Sequence, residues 1–373
     1  MSMPASQLIQ RFEQHFPLWL GEEGDPNGLH IGTLDKPIQR VMVTLDVRPN
    51  VVDEAIERGV DLIIAKHPPI FRPVSRLTEE DPQTAMYLKL IRHNIAVYAA
   101  HTNMDIVPDG LNDWFCDALG IHDTTYLTQT HQFPDEILTV MVPHRFTKEV
   151  KDALIDAGAG AADGYHGTSF IYNGVGTAII NKDNFHPELG QPGDIAETDE
   201  DAIVVKVPAL VRPKVEEVLK QYQHHEVPTH YFTKMTNEQT TFGIGRIGQL
   251  EEAITVEDMA HRLKSVFDLD HVRVISKDPT AKVQRVAICG GSGQKFYTDA
   301  KAKGADLYIT GDVYYHTGHD MLESGMSVID CGHYIEHYCK QKIVDKLNQW
   351  KQELNWDVEC FASEADTNPF KAY

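Results

Sequence analysis

Residues 39–64 read QRVMVTLDVRPNVVDEAIERGVDLII, and residues 284–309 read QRVAICGGSGQKFYTDAKAKGADLYI, with identities that recur at a constant offset of 245 residues. Each copy begins with a short apolar run that is typical of a buried strand. A helical segment follows and ends at Gly59 or Gly304, the residue type expected just past a helix C-terminus, before a second apolar run. The shared order of elements predicts that one unit was duplicated within the chain.

The segments that follow both copies continue the same alternation. A helix at 84–93 and a strand at 95–99 are predicted after the first copy, and a helix at 315–323 and a strand at 327–331 after the second. Strands that alternate with helices form βαβ units, so we expect a duplicated α/β core with mainly parallel sheets. Such sheets bind ligands beyond the carboxyl ends of their strands.

A segment of different character separates the two copies. It runs from 132 to 237 and contains two rounds of strand, helix and strand, with a glycine-rich stretch after the first helix. This order is typical of a ferredoxin-like α+β domain. We therefore predict the first half of the core at 1–131, an inserted domain at 132–237 and the second half of the core at 238–373.

Composition limits the classes of function that fit the chain. Its 373 residues suffice for two or three hydrophobic cores. A net charge of −21 disfavours nucleic acid as a partner. There is no apolar run long enough for a membrane span and no secretory signal at the start, while five cysteines without a C-x-x-C pair argue against a disulfide framework. We expect a cytoplasmic globular protein.

Four side chains of the metal-ligating type lie where predicted strands end. His67 follows an apolar strand of the first copy, and Asp105 lies a few residues beyond the next strand. His333 follows the last predicted strand of the second copy. Glu336, three residues later, shares a face with His333 if a helix begins there. These four residues are the predicted metal ligands, although more than two hundred residues separate the two pairs.

Each of these residues also has an ordinary structural explanation. The imidazole of His67 can cap a turn, Asp105 belongs to a polar run common in loops, and Glu336 can stabilise a first helical turn. Together, imidazoles and carboxylates without a thiolate suit a catalytic or exchangeable Zn, Mn or Fe ion better than a structural zinc. If Asp105 and Glu336 bridge two ions, a metal-bound hydroxide would be the nucleophile. We expect one or two divalent ions per chain.

Motifs at these positions resemble the NIF-three-like family, whose bacterial members are known as GTP cyclohydrolase 1 type 2 homologs. The motifs, spread over nearly the whole chain, are Asp25–Leu29, His67-Pro68, the run from Ala100 to Asp105, Gly311-Asp312, and Gly332-His333 with Glu336. The segment 132–237 resembles the PII-like or CutA-like domain of the longer members. The resemblance implies a dinuclear metal centre and a homohexamer built as a trimer of dimers.

Two departures from the family pattern concern the metal ligands. Many members carry a His-His pair where this chain has Lys66-His67, so an ammonium group replaces one ligand. Either one metal position is weakened or absent, or Lys66 holds a substrate phosphate or neutralises the bridging carboxylates. In addition, Glu336 follows His333 by three residues where many members have four, and both spacings share a helix face.

The resemblance suggests two functions of different classes. The first is a metal-dependent hydrolase acting on a nucleotide or another small molecule, with opening of the guanine imidazole ring of GTP as the reaction. In that chemistry, His101 is the candidate proton shuttle and Asp312 orients water or substrate. The alternative is a non-enzymatic, metal-binding hexameric regulator or scaffold whose PII-like domain senses a ligand.

Overall fold

The computed structural model describes residues 3–162, 164–179, 193–222 and 229–372. The chain forms two compact units. Unit 1 contains Met1–His131 and Phe242–Tyr373, and unit 2 contains Gln132–Thr241. Unit 1 is therefore built from two chain segments that are far apart in sequence, and it carries all the predicted ligands.

The first segment of unit 1 alternates strands and helices. Its elements in chain order are β1 (Met3–Pro4), α1 (Ala5–His15), β2 (Gly28–Ile31), β3 (Pro37–Ile38), β4 (Arg40–Thr44), α2 (Pro49–Glu57), β5 (Leu62–Ala65), α3 (Pro82–Arg92), β6 (Ala96–Ala99), α4 (Thr102–Ile106) and α5 (Leu111–Leu119). The strand β7 (Ile121–Pro143) then leads into unit 2.

Unit 2 and the second segment of unit 1 follow. Unit 2 contains α6 (Thr147–Asp156), β8 (Ser169–Ile179), β9 (Ile195–Val207) and α7 (Arg212–Gln221), and β10 (His230–Thr255) returns to unit 1. The remaining elements are α8 (Val256–Val266), β11 (Arg273–Ile275), β12 (Lys282–Ile288), α9 (Tyr297–Ala302), β13 (Leu307–Thr310), α10 (Tyr315–Ser324), β14 (Ser327–Asp330), α11 (Cys339–Glu353) and β15 (Glu359–Ala362).

The two larger sheets of unit 1 have mixed strand orientation, and β1 and β3 form a separate two-stranded sheet. In the first, with the order β15–β4–β5–β6–β2, the four strands from β15 to β6 are parallel and β2 is antiparallel. In the second, β12, β13 and β14 are parallel, while β11 pairs antiparallel with β14 and β10 pairs antiparallel with β12. The expectation of mainly parallel sheets is corrected accordingly. Most of the parallel strands come from the duplicated βαβ units and the elements that follow them, whereas the antiparallel strands come from segments outside them.

The duplication is visible in strand register. Val41 pairs with Leu62 between β4 and β5, and Val286 pairs with Leu307 between β12 and β13. Both pairs keep the offset of 245 residues found in the sequence. The helices that follow β4 and β12 end before Gly59 and Gly304, which adopt positive φ angles of 63° and 74°. The two copies therefore share one backbone plan.

A side-chain contact is also repeated in both copies. Oδ2 of Asp61 accepts hydrogen bonds from the backbone N–H groups of residues 39 and 40, at 2.7 and 3.0 Å. Oδ2 of Asp306 accepts the equivalent bonds from residues 284 and 285, at 3.0 and 2.8 Å. Each carboxylate thus satisfies donors at the start of a neighbouring parallel strand.

Unit 2 has its own hydrophobic core. Its elements follow in the order strand, helix, strand, strand, helix, strand, and its strand order is β10–β7–β9–β8. β9 is antiparallel to both β7 and β8. Alternate residues of β7 and β9, such as Val140 and Ile203, pack against α6 and α7 through residues such as Leu154 and Val215. The glycine-rich stretch noted in the sequence includes most of β8.

The helices are short compared with a lipid bilayer. The longest, α11, has 15 residues, where a span needs about 20 apolar ones. Within the described residues, no helix combines the length and the apolar character needed to cross a membrane.

The repeated carboxylate contact predicts matched energetic effects. Asp61→Ala and Asp306→Ala should each lower the free energy of unfolding by about 0.5–1.5 kcal/mol, because two backbone donors lose their acceptor. Chemical denaturation followed by circular dichroism measures the loss. Asp61→Asn and Asp306→Asn keep one acceptor oxygen and should lose less. A loss in one copy only would show that the contacts are not energetically equivalent.

Candidate metal centre

The candidate centre lies at the carboxyl ends of strands from both sheets of unit 1. His67 comes two residues after β5, and His333 comes three residues after β14. Their Nε2 atoms are 3.3 Å apart. The backbone N–H of His67 donates to Leu45 O at 2.8 Å, so the β4–β5 pairing continues past the strand end and holds this histidine in place. The fold thus brings together residues that lie 266 positions apart.

Three side chains form a group that can hold one metal ion. Donor atoms of His67, His333 and Glu336 all lie within 4.8 Å of one another. Oε2 of Glu336 is 2.9 Å from Nε2 of His67 and 3.6 Å from Nε2 of His333. Two imidazole nitrogens and one carboxylate oxygen are a donor set that suits Zn, Mn or Fe and leaves other coordination positions open. The donor chemistry therefore fits the expected ion.

A helix does begin just after Gly332, and it is a 3₁₀ helix. It spans His333–Tyr338 and precedes α11. Gly332 has a φ of 70°, a backbone conformation that glycine adopts without strain. Because a 3₁₀ helix has three residues per turn, positions i and i+3 are eclipsed. This geometry places His333 and Glu336 on one side with a three-residue spacing.

Two carboxylates hold the histidines of this group. Nδ1 of His67 lies 2.7 Å from Oδ1 of Asp46, and Nδ1 of His333 lies 2.7 Å from Oδ2 of Asp312. When Nδ1–H donates to a carboxylate, Nε2 is the nitrogen that faces a metal, and the carboxylate also makes it a better ligand. Asp312 was expected to orient water or substrate, and its clearest contact here is with His333.

Two hydroxyl groups support these carboxylates in turn. Thr367 Oγ1 donates to Oδ2 of Asp46 at 2.6 Å, and Ser292 Oγ donates to Oδ2 of Asp312 at 2.7 Å. Asp46, Ser292 and Thr367 were not predicted from the sequence. Asp46 could have been found, since it follows the end of β4 as His67 follows β5. Nothing in the sequence near Thr367 indicates its role, because the contact depends on where the C-terminal segment packs.

The electrostatics of the centre favour positive charge. Burial alone would lower the pKa of His67, but its contacts with Asp46 and Glu336 raise it to about 9. Burial also opposes the charge on His333, and Asp312 and Glu336 nevertheless raise its pKa. For Glu336, burial would raise the pKa, while Lys66 and the two histidines lower it below the usual range. Lys66 and the two histidines therefore stabilise the buried carboxylate of Glu336.

Lys66 and Asp105 lie beside this group. Lys66 Nζ donates to Oδ2 of Asp105 at 3.1 Å and is 3.7 Å from Oε2 of Glu336. Asp105 lies in the short helix α4, not in a loop as its polar surroundings suggested. It is not a member of the three-residue group, and its Oδ1 is buried without a hydrogen-bond partner among the described residues. Burial raises the pKa of Asp105, an effect that Lys66 opposes.

His101 borders the same site. Its ring centroid is 5.8 Å from that of His67, and its Nδ1 lies 2.6 Å from Oδ1 of Asp25. The backbone N–H of Thr102 donates to the other carboxylate oxygen of Asp25 at 3.0 Å. Burial would raise the pKa of Asp25, but the contacts with His101 and Thr102 hold it well below its usual range. Asp25 thus orients His101 as Asp46 orients His67.

A large cleft contains these groups. Its volume is about 1390 Å³, which is above the usual range of small-molecule sites. Its lining includes His67, His101, Asp312 and His333, together with every residue of the C-terminal segment from 366 to 372. Among the described residues, Lys66 does not line it.

Known proteins are similar to this protein over nearly the whole chain. Residues 3–369 match the family model of Duf34/NIF3 (NGG1p interacting factor 3). The GTP cyclohydrolase 1 type 2 homolog of Halalkalibacterium halodurans is 40% identical over 363 residues, which cover 97% of each chain. The protein of the same name from Bacillus subtilis is 40% identical over 372 residues, covering 99% of this chain and 98% of the relative.

A solved structure shows the same likeness in three dimensions. The Bacillus cereus protein related to NIF3 superposes with a TM-score of 0.88 at 35% identity and covers 100% of both chains. The Staphylococcus aureus protein SA1388 superposes with a TM-score of 0.73 at 28% identity. That comparison covers 100% of this chain and 99% of the other.

The contacts behind His67 predict graded effects on metal affinity. Asp46→Ala should weaken Zn²⁺ binding about 10–100-fold, because His67 loses the carboxylate that orients it. Thr367→Val should weaken it less, because the lost hydroxyl contacts Asp46 and not the ligand. Competition titration with a chromophoric chelator measures both. Thr298→Val, at an exposed position on α9, is the matched control and should bind as the unaltered protein does.

Proposed function

Because the chain belongs to the Duf34/NIF3 family, as its motifs predicted, we propose that it is a metal-dependent hydrolase whose ion is held by His67, His333 and Glu336. The observation that carries the proposal is the convergence of these three donor groups within 4.8 Å of one another. A divalent ion bound there would supply Lewis acidity and lower the pKa of a water molecule. Two of the three ligands line the cleft, so the centre is open to a substrate.

The other polar residues have positioning and proton-transfer roles in this proposal. Asp46 and Asp312 hold the two ligand histidines by their Nδ1 atoms. His101 is the proton carrier, since Asp25 engages its Nδ1 and leaves Nε2 for exchange with substrate or water. Asp312 lines the cleft with 34% of its side chain exposed, so it can also contact the substrate.

The proposed substrate is a nucleotide, with GTP as the first candidate. The curated relatives at 40% identity are named GTP cyclohydrolase 1 type 2 homologs. Phe71 lines the cleft, is 63% exposed and lies 6.1 Å from the ring of His101 in an edge-to-face arrangement. An exposed aromatic ring beside the centre offers a stacking surface for a purine base. Opening of the guanine imidazole ring at C8, with formate as product, is the proposed reaction.

A second candidate function is a non-enzymatic regulator or scaffold. It is supported by unit 2, whose strand, helix, strand, strand, helix, strand order and antiparallel pairing are those of a ferredoxin-like domain. In this proposal unit 2 acts as a PII-like ligand sensor, and the metal centre supports the structure of unit 1. All five cysteines are free thiols, which suits the cytoplasm as the proposed location of either function.

Both candidate functions include assembly into a homohexamer, a trimer of dimers. Strand β8 of unit 2 supports self-association because it lies at the end of its sheet order and exposes large apolar side chains. Phe170 is 60% exposed and Tyr172 57% exposed, and their rings lie 4.7 Å apart on one face of the strand. Exposed apolar patches on an edge strand are typical of interaction surfaces.

The enzyme proposal predicts metal-dependent formate release. Protein stripped with a chelator should lose turnover of GTP and regain it when Zn²⁺, Mn²⁺ or Fe²⁺ is added. His67→Ala should reduce turnover by more than the roughly 10–100-fold that loss of an outer partner costs, since a ligand itself is removed. Formate is quantified with a coupled dehydrogenase assay.

Light scattering and circular dichroism accompany this assay. An unchanged mass and fold for His67→Ala would assign the lost turnover to the centre. If neither the metal-loaded nor the metal-stripped protein releases formate, and removal of the metal dissociates the hexamer, the enzyme proposal fails. The non-enzymatic regulator or scaffold then becomes the proposed function.

The assembly proposal predicts an effect of charge on β8. The double variant Phe170→Lys/Tyr172→Lys should have a lower molar mass in light scattering, because lysines desolvate poorly in an apolar interface. Gln221→Lys, at an exposed position at the end of α7, adds charge to the same unit and should leave the mass unchanged. An unchanged mass for the double variant would place the contact elsewhere.

A further inference from the structure

Lys66 is one of the most deeply buried charged side chains described in the protein. Only 1% of its side chain is exposed. Its ammonium lies between two carboxylates, 3.1 Å from Oδ2 of Asp105 and 3.7 Å from Oε2 of Glu336. Its backbone is fixed as well, since its N–H donates to Thr44 O at 3.1 Å in continuation of the β4–β5 pairing. The ammonium is therefore a built-in part of the centre.

We propose that the ammonium of Lys66 occupies a cation position between Asp105 and Glu336, so that the centre of this protein binds one divalent ion and not two. The inference rests on the proposed function, because it takes His67, His333 and Glu336 as the ligands of that ion. In this inference, Lys66 supplies the positive charge that a second metal ion would otherwise supply.

The balance of charge supports this assignment. Asp105 and Glu336 are both buried, and two buried carboxylates side by side need positive charge between them. A bridging metal ion commonly supplies that charge, and here Lys66 supplies it. The histidines contact the same oxygen of Glu336, with Nε2 of His67 at 2.9 Å and Nε2 of His333 at 3.6 Å from Oε2. Lys66 therefore contacts both carboxylates, whereas the histidines contact only that of Glu336.

A second divalent ion between the same carboxylates would meet the ammonium at close range. It would have to bind the carboxylates of Asp105 and Glu336, which Lys66 already contacts through Oδ2 and Oε2. Two cations a few ångströms apart in a buried site repel strongly. With 1% of its side chain exposed, Lys66 is shielded from solvent in this position. The ammonium of Lys66 and a second divalent ion therefore exclude each other.

The same geometry argues against a role for Lys66 in binding a substrate phosphate. Among the described residues, those that line the cleft include His67 but not its neighbour Lys66. A phosphate in the cleft would contact the lysine only if it displaced the two carboxylates. Of the two roles for Lys66 that the sequence left open, its contacts favour neutralisation of the carboxylates over phosphate binding, and this role accompanies the absence of one metal position.

One oxygen in this position is ready for a ligand bond. Oδ1 of Asp105 is buried and has no hydrogen-bond partner among the described residues. A buried acceptor without a donor is costly to a fold. If a histidine replaces Lys66, an ion bound by the new imidazole, Asp105 and Glu336 could use that oxygen. The two carboxylates that a second metal ion would need are thus present, and Lys66 occupies the position between them.

The experiment counts ions in the full-length protein. The unaltered protein, Lys66→His and Lys66→Met are stripped with a chelator, reloaded with Zn²⁺ alone and measured by native mass spectrometry and elemental analysis. We expect one tightly held zinc per chain in the unaltered protein and two in Lys66→His. Lys66→Met, which removes the charge without adding a ligand, should accept a second zinc more weakly than Lys66→His.

An anomalous-scattering map of crystals of the unaltered, zinc-loaded protein locates the ion. We expect it beside His67, His333 and Glu336, with the lysine in place between its carboxylates. Two zinc ions per chain in the unaltered protein would overturn the inference and leave the proposed metal centre standing, whereas a single ion beside Asp105 and away from the histidines would overturn both. No zinc at all would overturn the proposed centre and the inference with it.

Melting temperatures keep the test decisive if a variant folds poorly. Without metal, Lys66→Met should melt lower than the unaltered protein, because two buried carboxylates lose their cation. Added Zn²⁺ should raise the melting temperature of Lys66→Met more than that of the unaltered protein, because zinc fills two metal positions in the variant and one in the unaltered protein. A folded Lys66→His that binds only one zinc would contradict the inference. If neither variant folds, the zinc count and map of the unaltered protein decide.

Discussion

The burial of one carboxylate, that of Glu336, is the constraint on which the centre depends. Its side chain is 3% exposed, so water cannot stabilise its charge and cationic partners must do so. His67 and Lys66 come from the first chain segment of unit 1, while Glu336 and His333 come from the second. His333 reaches Glu336 from the same segment, but His67 and Lys66 reach it only when both segments fold together. Assembly of the centre is therefore coupled to assembly of unit 1.

The duplicated units contribute different chemistry from equivalent positions. His67 and Asp312 are related by the offset of 245 residues that relates the two copies, yet one is a proposed ligand and the other holds His333. Lys66 corresponds to Gly311 in the same way. A Cβ atom at Gly311 would lie 2.7 Å from the carbonyl oxygen of Gly332, so that position has no room for a side chain. Only the first copy can supply an internal cation.

The sequence predicted the position of the site well and its internal arrangement less well. His67 and His333 were placed at strand ends, where they are found, because apolar runs mark buried strands locally. Asp105 was assigned to a loop from its polar neighbours but lies in the helix α4. Asp46 was missed although it follows a strand end, and Thr367 was missed because its contact joins residues 321 positions apart.

Local rules were enough for the sequence alone to determine the order of elements, the duplication and the family. Apolar periodicity, glycines after helices and recurrent motifs act over a few residues and can be read without knowledge of packing. Only the tertiary structure decided which ligand-type side chains share a position. It brought His67, His333 and Glu336 together and turned Lys66 inward between Asp105 and Glu336. The physical reason is that burial, and with it the need of each charge for a partner, arises only when distant segments pack.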